Sequence, residues 1–350
     1  VYSALPHGDF SGWCICGTHL NREIGKRFPL FQVPASANAF AHEVEVDGVV
    51  IQAMRGPDHL PCVPGLRGTR GTIGYTFFEM DALARECAGN LSAYAGVLTG
   101  STWCTEALRF SGVSATTAIQ GVDTEVFCPN VTRPEDSKFV VFSGGCFQIR
   151  KAQDAVVAMM KVFMEHHSDV NLFAAWGNPY AHEWGKQSLI GSRLIDYDGE
   201  SLTEMAARNG LPMDRVTILP VLPNSRMAEI YRGSDLGLFP NRCEGGTNLV
   251  MMEFMACGKP VLGTFDTGHA DVLNEQNALR IATQPMEVTH KGTLLANWAD
   301  PEVEHGIEQL EWAYQHREEL GILARAGMTD MRELTWARCA NHFTRLIEEI

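Results

Sequence analysis

A turn rich in glycine, flanked by two carboxylates, carries the clearest chemistry in this chain. Glu244-Gly245-Gly246-Thr247-Asn248 follows the short apolar run Leu236 to Pro240, and an apolar helix is expected from Leu249 to Cys257. Gly258 closes that helix, Lys259-Pro260 stops it, and a new strand begins at Val261. The first amides of a helix lack internal partners, and its dipole favours an anion there, so Gly246, Thr247, Asn248 and Leu249 are candidate phosphate binders. Asn248 also suits a plain N-cap, and the two roles are compatible. Glu244 precedes the turn and Glu253 lies within the helix. Carboxylates accept hydrogen bonds from sugar and ribose hydroxyls, so amides for phosphate and carboxylates for hydroxyls together suit a sugar nucleotide.

Positioning such a site takes alternating strands and helices. Strand-like runs fall at Val1 to Leu5, Phe139 to Ser143, Val170 to Trp176 and Val216 to Leu219. Helices are expected from Cys16 to Phe28, Thr102 to Phe110 and Ala152 to Glu165; the last puts Val156, Met159, Met160, Phe163 and Met164 on one face. This order predicts doubly wound, mostly parallel α/β sheets. A length of 350 residues suits two domains. The polar run Asn130 to Lys138 reads as their linker. Gly12, in the turn after the first strand, would let backbone approach a ligand, and His7 is a further polar candidate beside it.

The segment Glu253-Phe254-Met255-Ala256-Cys257-Gly258-Lys259-Pro260-Val261 resembles the signature of the retaining glycosyltransferases of GT-B fold, family four, also called glycosyl transferases group 1. Gly121-Val122-Asp123-Thr124, with Phe127 and Pro129 after it, resembles a second hallmark of that family. The first half of the signature departs: eight residues separate Glu244 from Glu253, one more than the family's spacing, and Gly245 takes the strict position. The resemblance implies an acceptor-side Rossmann-like domain over 1–130, a nucleotide-sugar domain over 131–325, and a C-terminal helix in 326–350 that crosses back to the first domain, with Trp336 where relatives carry a Trp.

It further implies a site. Lys151 matches the lysine that contacts the diphosphate, after the Gly144-Gly145 turn that brings Gly145 near the same group. Cys146 stands where relatives carry an Arg, and Arg150 is the candidate replacement. Glu79 aligns with an acidic position at the cleft. Lys151, Glu244 and Glu79 are thus the expected catalytic set, Glu244 contacting the donor sugar and Glu253 the ribose. The implied reaction is metal-independent, retaining transfer from a nucleoside-diphosphate sugar to an unidentified acceptor, with no other cofactor. A GT-B sugar-nucleotide epimerase and a non-catalytic sugar-nucleotide-binding protein are the alternatives. Asp196-Tyr197-Asp198 has the spacing of a metal-binding motif of the other large transferase fold, but it lies beside glycines with no apolar strand before it. His166-His167 reads as a helix end rather than a metal site.

Composition narrows the partners. Hydrophobic residues at 45% and charged residues at 20% give a globular balance. A net charge of −14 disfavours nucleic acid and a polybasic grip on anionic lipid. No run approaches a membrane span, and the N-terminus lacks the pattern of a signal peptide. The ten cysteines form no Cys-x-x-Cys pair, and a reducing cytoplasm is the expected setting.

Overall fold

The structure, a computed structural model, describes residues 1–34, 42–56, 58–130, 138–177, 189 and 192–350. It holds two six-stranded sheets. In the first, the strands run in the order Phe31–Gln32, Tyr2–Ala4, Val49–Met54, Gly71–Thr76, Gly96–Thr99 and Thr116–Thr117. In the second, they run Val216–Ile218, Val170–Ala175, Phe139–Gly144, Leu236–Phe239, Val261–Gly263 and Leu279–Arg280. Neighbours pair in parallel throughout both sheets. The central strands Val49–Met54 and Phe139–Gly144 are buried along their whole length, as helices on both faces of a parallel sheet require. Ligands of such sheets bind beyond the carboxyl ends of the strands. The linker expected between Asn130 and Lys138 falls at 131–137, outside the described residues.

Helix Gln153–His166 packs Val156, Met159, Met160, Phe163 and Met164 into the core of the second domain, the face its spacing predicts. The first helix runs Gly12–Ile24, earlier than the expected Cys16 to Phe28. Its start is set by Ser11, whose side chain accepts the Cys14 N–H, and its end by Gly25.

The chain returns to the first domain at its end, as the family pattern implies. Helix Arg317–Glu333 stays with the second domain, where Met331 joins the core beneath helix Leu249–Ala256. The crossing lies at Leu334 to Trp336, where Val122 donates to the Leu334 carbonyl at 2.8 Å and bridges Thr335. Gly121 is needed there, because a Cβ would sit 2.1 Å from the Trp336 nitrogen. Helix Trp336–Glu349 then buries Trp336, Phe343 and Ile347 in the first-domain core with Leu20 and Ile24.

A hairpin in the second domain is among the elements that escaped the sequence reading. Strands Thr283–His290 and Thr293–Pro301 form an antiparallel hairpin. Lys291 and Gly292 at its tip have φ of 49° and 78°, the paired left-handed conformation of a tight two-residue turn. Among the described residues no helix is long and apolar enough to cross a membrane.

Candidate active site

Four charged side chains meet at the carboxyl ends of the strands. Arg150 and Lys151 lie on the short 3-10 turn after strand Phe139–Gly144, Glu244 lies on the turn after Leu236–Phe239, and Glu79 comes from the first domain after Gly71–Thr76. The Lys151 ammonium donates to Glu244 Oε1, and Asn241 Nδ2 donates to the same oxygen. Arg150 Nη1 lies 3.2 Å from Glu244 Oε2 and 3.5 Å from Glu79 Oε1. Glu244 is only 4% exposed. Burial opposes its charge, but Lys151 and Arg150 outweigh that and hold its carboxyl at about 2. Burial likewise depresses the Lys151 ammonium, with Glu244 opposing and Arg150 adding to the shift. Burial also works against charge on Arg150, and Glu79 and Glu244 more than restore it. Two cations therefore face two carboxylates, and an arriving diphosphate must compete with Glu244 and Glu79 for them.

A buried ion pair fixes these turns to one another. The Arg242 guanidinium meets Asp154 at 2.8 and 2.9 Å, Asp300 at 2.6 Å and the Ile149 carbonyl at 2.8 Å. The amides of Arg242 and Cys243 in turn donate to the Arg150 carbonyl, at 2.8 and 3.1 Å. Gly145 sits against the aliphatic chain of Lys151.

The glycine turn leads into helix Leu249–Ala256, as expected. Asn248 has φ 61° and does not cap the helix with its side chain. Its amide instead lies 3.2 Å from His269 Nε2, while His269 Nδ1 lies 3.0 Å from the Thr264 carbonyl. That carbonyl requires an Nδ1–H donor, which leaves Nε2 to accept from Asn248. Burial brings the His269 imidazole down to about 4, so it stays neutral. Thr247 is fully buried, with its hydroxyl 3.0 Å from Met252 Sδ.

The first domain closes directly onto this turn. The Gly245 carbonyl accepts from Ser101 Oγ at 2.8 Å and Cys104 Sγ at 3.1 Å. A Cβ at Gly245 would lie 2.5 Å from the Phe78 carbonyl oxygen. The position that departs from the family pattern thus has no room for a glutamate, and Glu244 is the carboxylate that reaches the cations. Gly246 lies against Phe77 and Gln120, and Leu249 packs into the first-domain core. Asp271 also accepts the Thr102 N–H at 2.6 Å, capping a first-domain helix from the second domain.

Glu253 is 2% exposed within its helix. Asn224 Nδ2 reaches its two oxygens at 2.8 and 3.0 Å, and the Tyr231 hydroxyl lies at 3.3 Å. Burial outweighs these bonds and pushes the carboxyl up to about 8. The Asn224 N–H donates to the Asp9 carbonyl at 2.9 Å, which ties Glu253 to the first-domain turn that ends at Gly12. Gly12 opens the first helix, and a Cβ there would meet nothing within 4 Å. Its neighbour Trp13 stands edge-on to Phe77 at 4.5 Å.

The structure therefore gathers Glu79, Gly145, Arg150, Lys151 and Glu244, sets Gly246 to Leu249 beside Phe77, and places Glu253 with Asn224 and Tyr231. His7 is exposed on its turn. Asp196 and Asp198 are exposed and pair with Arg208 at 3.7 and 3.4 Å, and His166 and His167 pair with Glu311 at 2.8 and 2.7 Å. The sequence reading missed Asn224, Tyr231, Arg242 and His269.

The sequence pattern of the family described as glycosyl transferases group 1 matches residues 138–295. A D-inositol 3-phosphate glycosyltransferase of Segniliparus rotundus is 28% identical over 230 residues, which cover 63% of this chain and 44% of that protein. This chain thus matches less than half the length of that relative. Sucrose-phosphate synthase from Thermosynechococcus elongatus superposes with a TM-score of 0.63 at 16% identity, over 86% of this chain and 73% of that one. The Anabaena protein HepE, solved in complex with UDP and glucose, gives 0.61 at 12% identity, over 80% of this chain and 72% of that one. At these identities the two structures speak for the fold. The chain has the GT-B fold, and its residues 138–295 match the pattern described as glycosyl transferases group 1.

Proposed function

We propose that this chain transfers a glycosyl group from a nucleoside-diphosphate sugar to an acceptor hydroxyl held on the first domain, without a metal ion and with retention of configuration. The observation that supports this reading is the half-buried pair Arg150 and Lys151, which meet Glu244 on the turn leading into helix Leu249–Ala256 at the carboxyl end of the second sheet. Breaking the bond from the anomeric carbon to phosphate builds negative charge on the departing diphosphate. Fixed cations and helix amides stabilise that charge without reorganising, which is the largest usual source of rate in such sites. For Glu253, whose carboxyl group Asn224 orients, the role we propose is contact with the ribose hydroxyls.

The state of Glu244 supports retention over inversion by that carboxylate. Its carboxyl is held at about 2 by two cations, so it is a weak base for an acceptor proton. The proton then passes to an oxygen of the leaving phosphate on the same face of the sugar. Glu244 is left to orient Lys151 and to stabilise positive charge at the anomeric centre. The setting we propose is a reducing cytoplasm, in keeping with ten free thiols. A thermal-shift panel of nucleoside diphosphates and their sugars, with EDTA present, tests the reading. One nucleotide should raise the melting temperature, since a ligand of the native state stabilises by mass action. A flat response across the panel would remove the donor site.

A further inference from the structure

The hairpin Thr283–Pro301 belongs to the second domain, yet it grips the first. Asn297 N–H donates to Asp81 Oδ1 at 2.9 Å, and Trp298 Nε1 donates to the Glu79 carbonyl at 2.7 Å. Glu79 and Asp81 follow the strand Gly71–Thr76 at the mouth of the cleft. The Trp298 ring is 5% exposed and packs with Cys243 and Ala296, against Ile149 and the first-domain Trp103. Cys243 and Ile149 are the immediate neighbours of Glu244 and Arg150 in the chain. The base of the hairpin is fastened to the same two turns: Ala299 N–H donates to the Arg242 carbonyl at 3.1 Å, and Asp300 accepts from Arg242 at 2.6 Å. The stretch that makes these contacts, 296–300, begins just past the end of the family match at 295.

These bonds make a mechanical connection. Arg150 is a residue of the second domain, and Glu79, 3.5 Å away, a residue of the first. Their pair exists only while the domains are together. Trp298 holds the backbone of Glu79 from one side while its ring braces the turns that carry Arg150 and Glu244. We infer that Trp298 is a positioning residue for glycosyl transfer, clasping Glu79 onto Arg150 so that the cleft is closed and dry when the donor bond breaks. The inference rests on the transfer reading. It extends that reading by assigning closure to the hairpin, which contributes no group to the reacting atoms. Closure excludes water from a reactive glycosyl centre, so a loosened clasp should divert donor from acceptor to water.

Trp298→Phe keeps most of the packing and removes the N–H. Asp81→Ala removes the other bond from the opposite domain. Hydrogen exchange without substrate should show amides at 79–81 and 296–299 losing protection by about tenfold in both variants, the scale of one lost hydrogen bond, while strand Phe139–Gly144 is unchanged. With the donor that supports wild-type turnover, both variants should lower kcat for transfer about tenfold, leave donor KM within about twofold, and raise the ratio of hydrolysis to transfer. Unchanged exchange at 79–81 would overturn the clasp. Loosened exchange with an unchanged ratio of hydrolysis to transfer would make the hairpin a structural brace and overturn the positioning role. If the wild type turns over no donor, the transfer reading fails, and the exchange result still decides whether the clasp exists.

Discussion

Glu244→Gln separates the roles of the buried charge cluster. The wild-type carboxylate, itself almost wholly buried, compensates the half-buried Lys151 and Arg150. Its carboxyl stands at about 2 in the fold against an ordinary value of 4.5. A folded value below the unfolded one adds stability that is present above about pH 4.5 and lost as pH falls through about 2. The shift corresponds to about 3 kcal/mol at neutral pH and roughly half of that near pH 3. Urea melts of both forms at the two pH values should therefore show a gap in stability near pH 7 that narrows on acidification. Removing the carboxylate also frees two cations for a diphosphate. At an effective dielectric of about 20 and ordinary salt, one fewer competing charge nearby is worth about 1–2 kcal/mol, so free nucleoside diphosphate should bind the variant roughly tenfold more tightly. Turnover should fall, because Lys151 is no longer oriented. Equal stability at pH 7 together with weaker nucleotide binding would refute the reasoning.

Other predictions follow from the same geometry. Lys151→Ala should lower turnover by roughly 10²-fold or more in a folded protein, the scale of losing one electrostatic donor, as steady-state kinetics would show. Glu253 stands at about 8, above its ordinary 4.5, so the fold holds its proton more tightly than the unfolded chain does. Wild-type stability should accordingly fall as pH rises from about 4.5 to 8, and Glu253→Gln should flatten that slope in melts across the window. Turnover should survive EDTA; activity lost on chelation and restored by Mn²⁺ would return Asp196 and Asp198 to consideration.

Much of this arrangement is legible in the chain because it is local. The glycine turn, the apolar helix Leu249–Ala256 and the stop at Lys259-Pro260 follow one another directly, and each carries its own conformational signal. The Met-rich face of Gln153–His166 shows in its spacing for the same reason. What escaped is made at a distance. Asp154 and Arg242 lie 88 positions apart, and Asn224 and Glu253 lie 29 apart on different helices. No spacing rule connects such partners. His269 looks like any other histidine until Thr264 and Asn248 are seen around it. The reason that glycine stands at position 245 lies in the other domain, in the backbone of Phe78. The hairpin is different, since Lys291-Gly292 between two β-prone runs is a local turn signal.

The claim at the centre of this account is that Arg150, Lys151 and the helix start at Leu249 hold a nucleoside diphosphate as it leaves a sugar. Its most direct test is mass spectrometry of the purified chain incubated with a mixture of nucleoside-diphosphate sugars and candidate acceptor polyols, EDTA included. The account predicts release of one nucleoside diphosphate, with its sugar appearing on an acceptor or on water, and loss of that release in Lys151→Ala. Accumulation of an epimeric donor with no free nucleotide, or a mixture left unchanged by a folded protein, would contradict it.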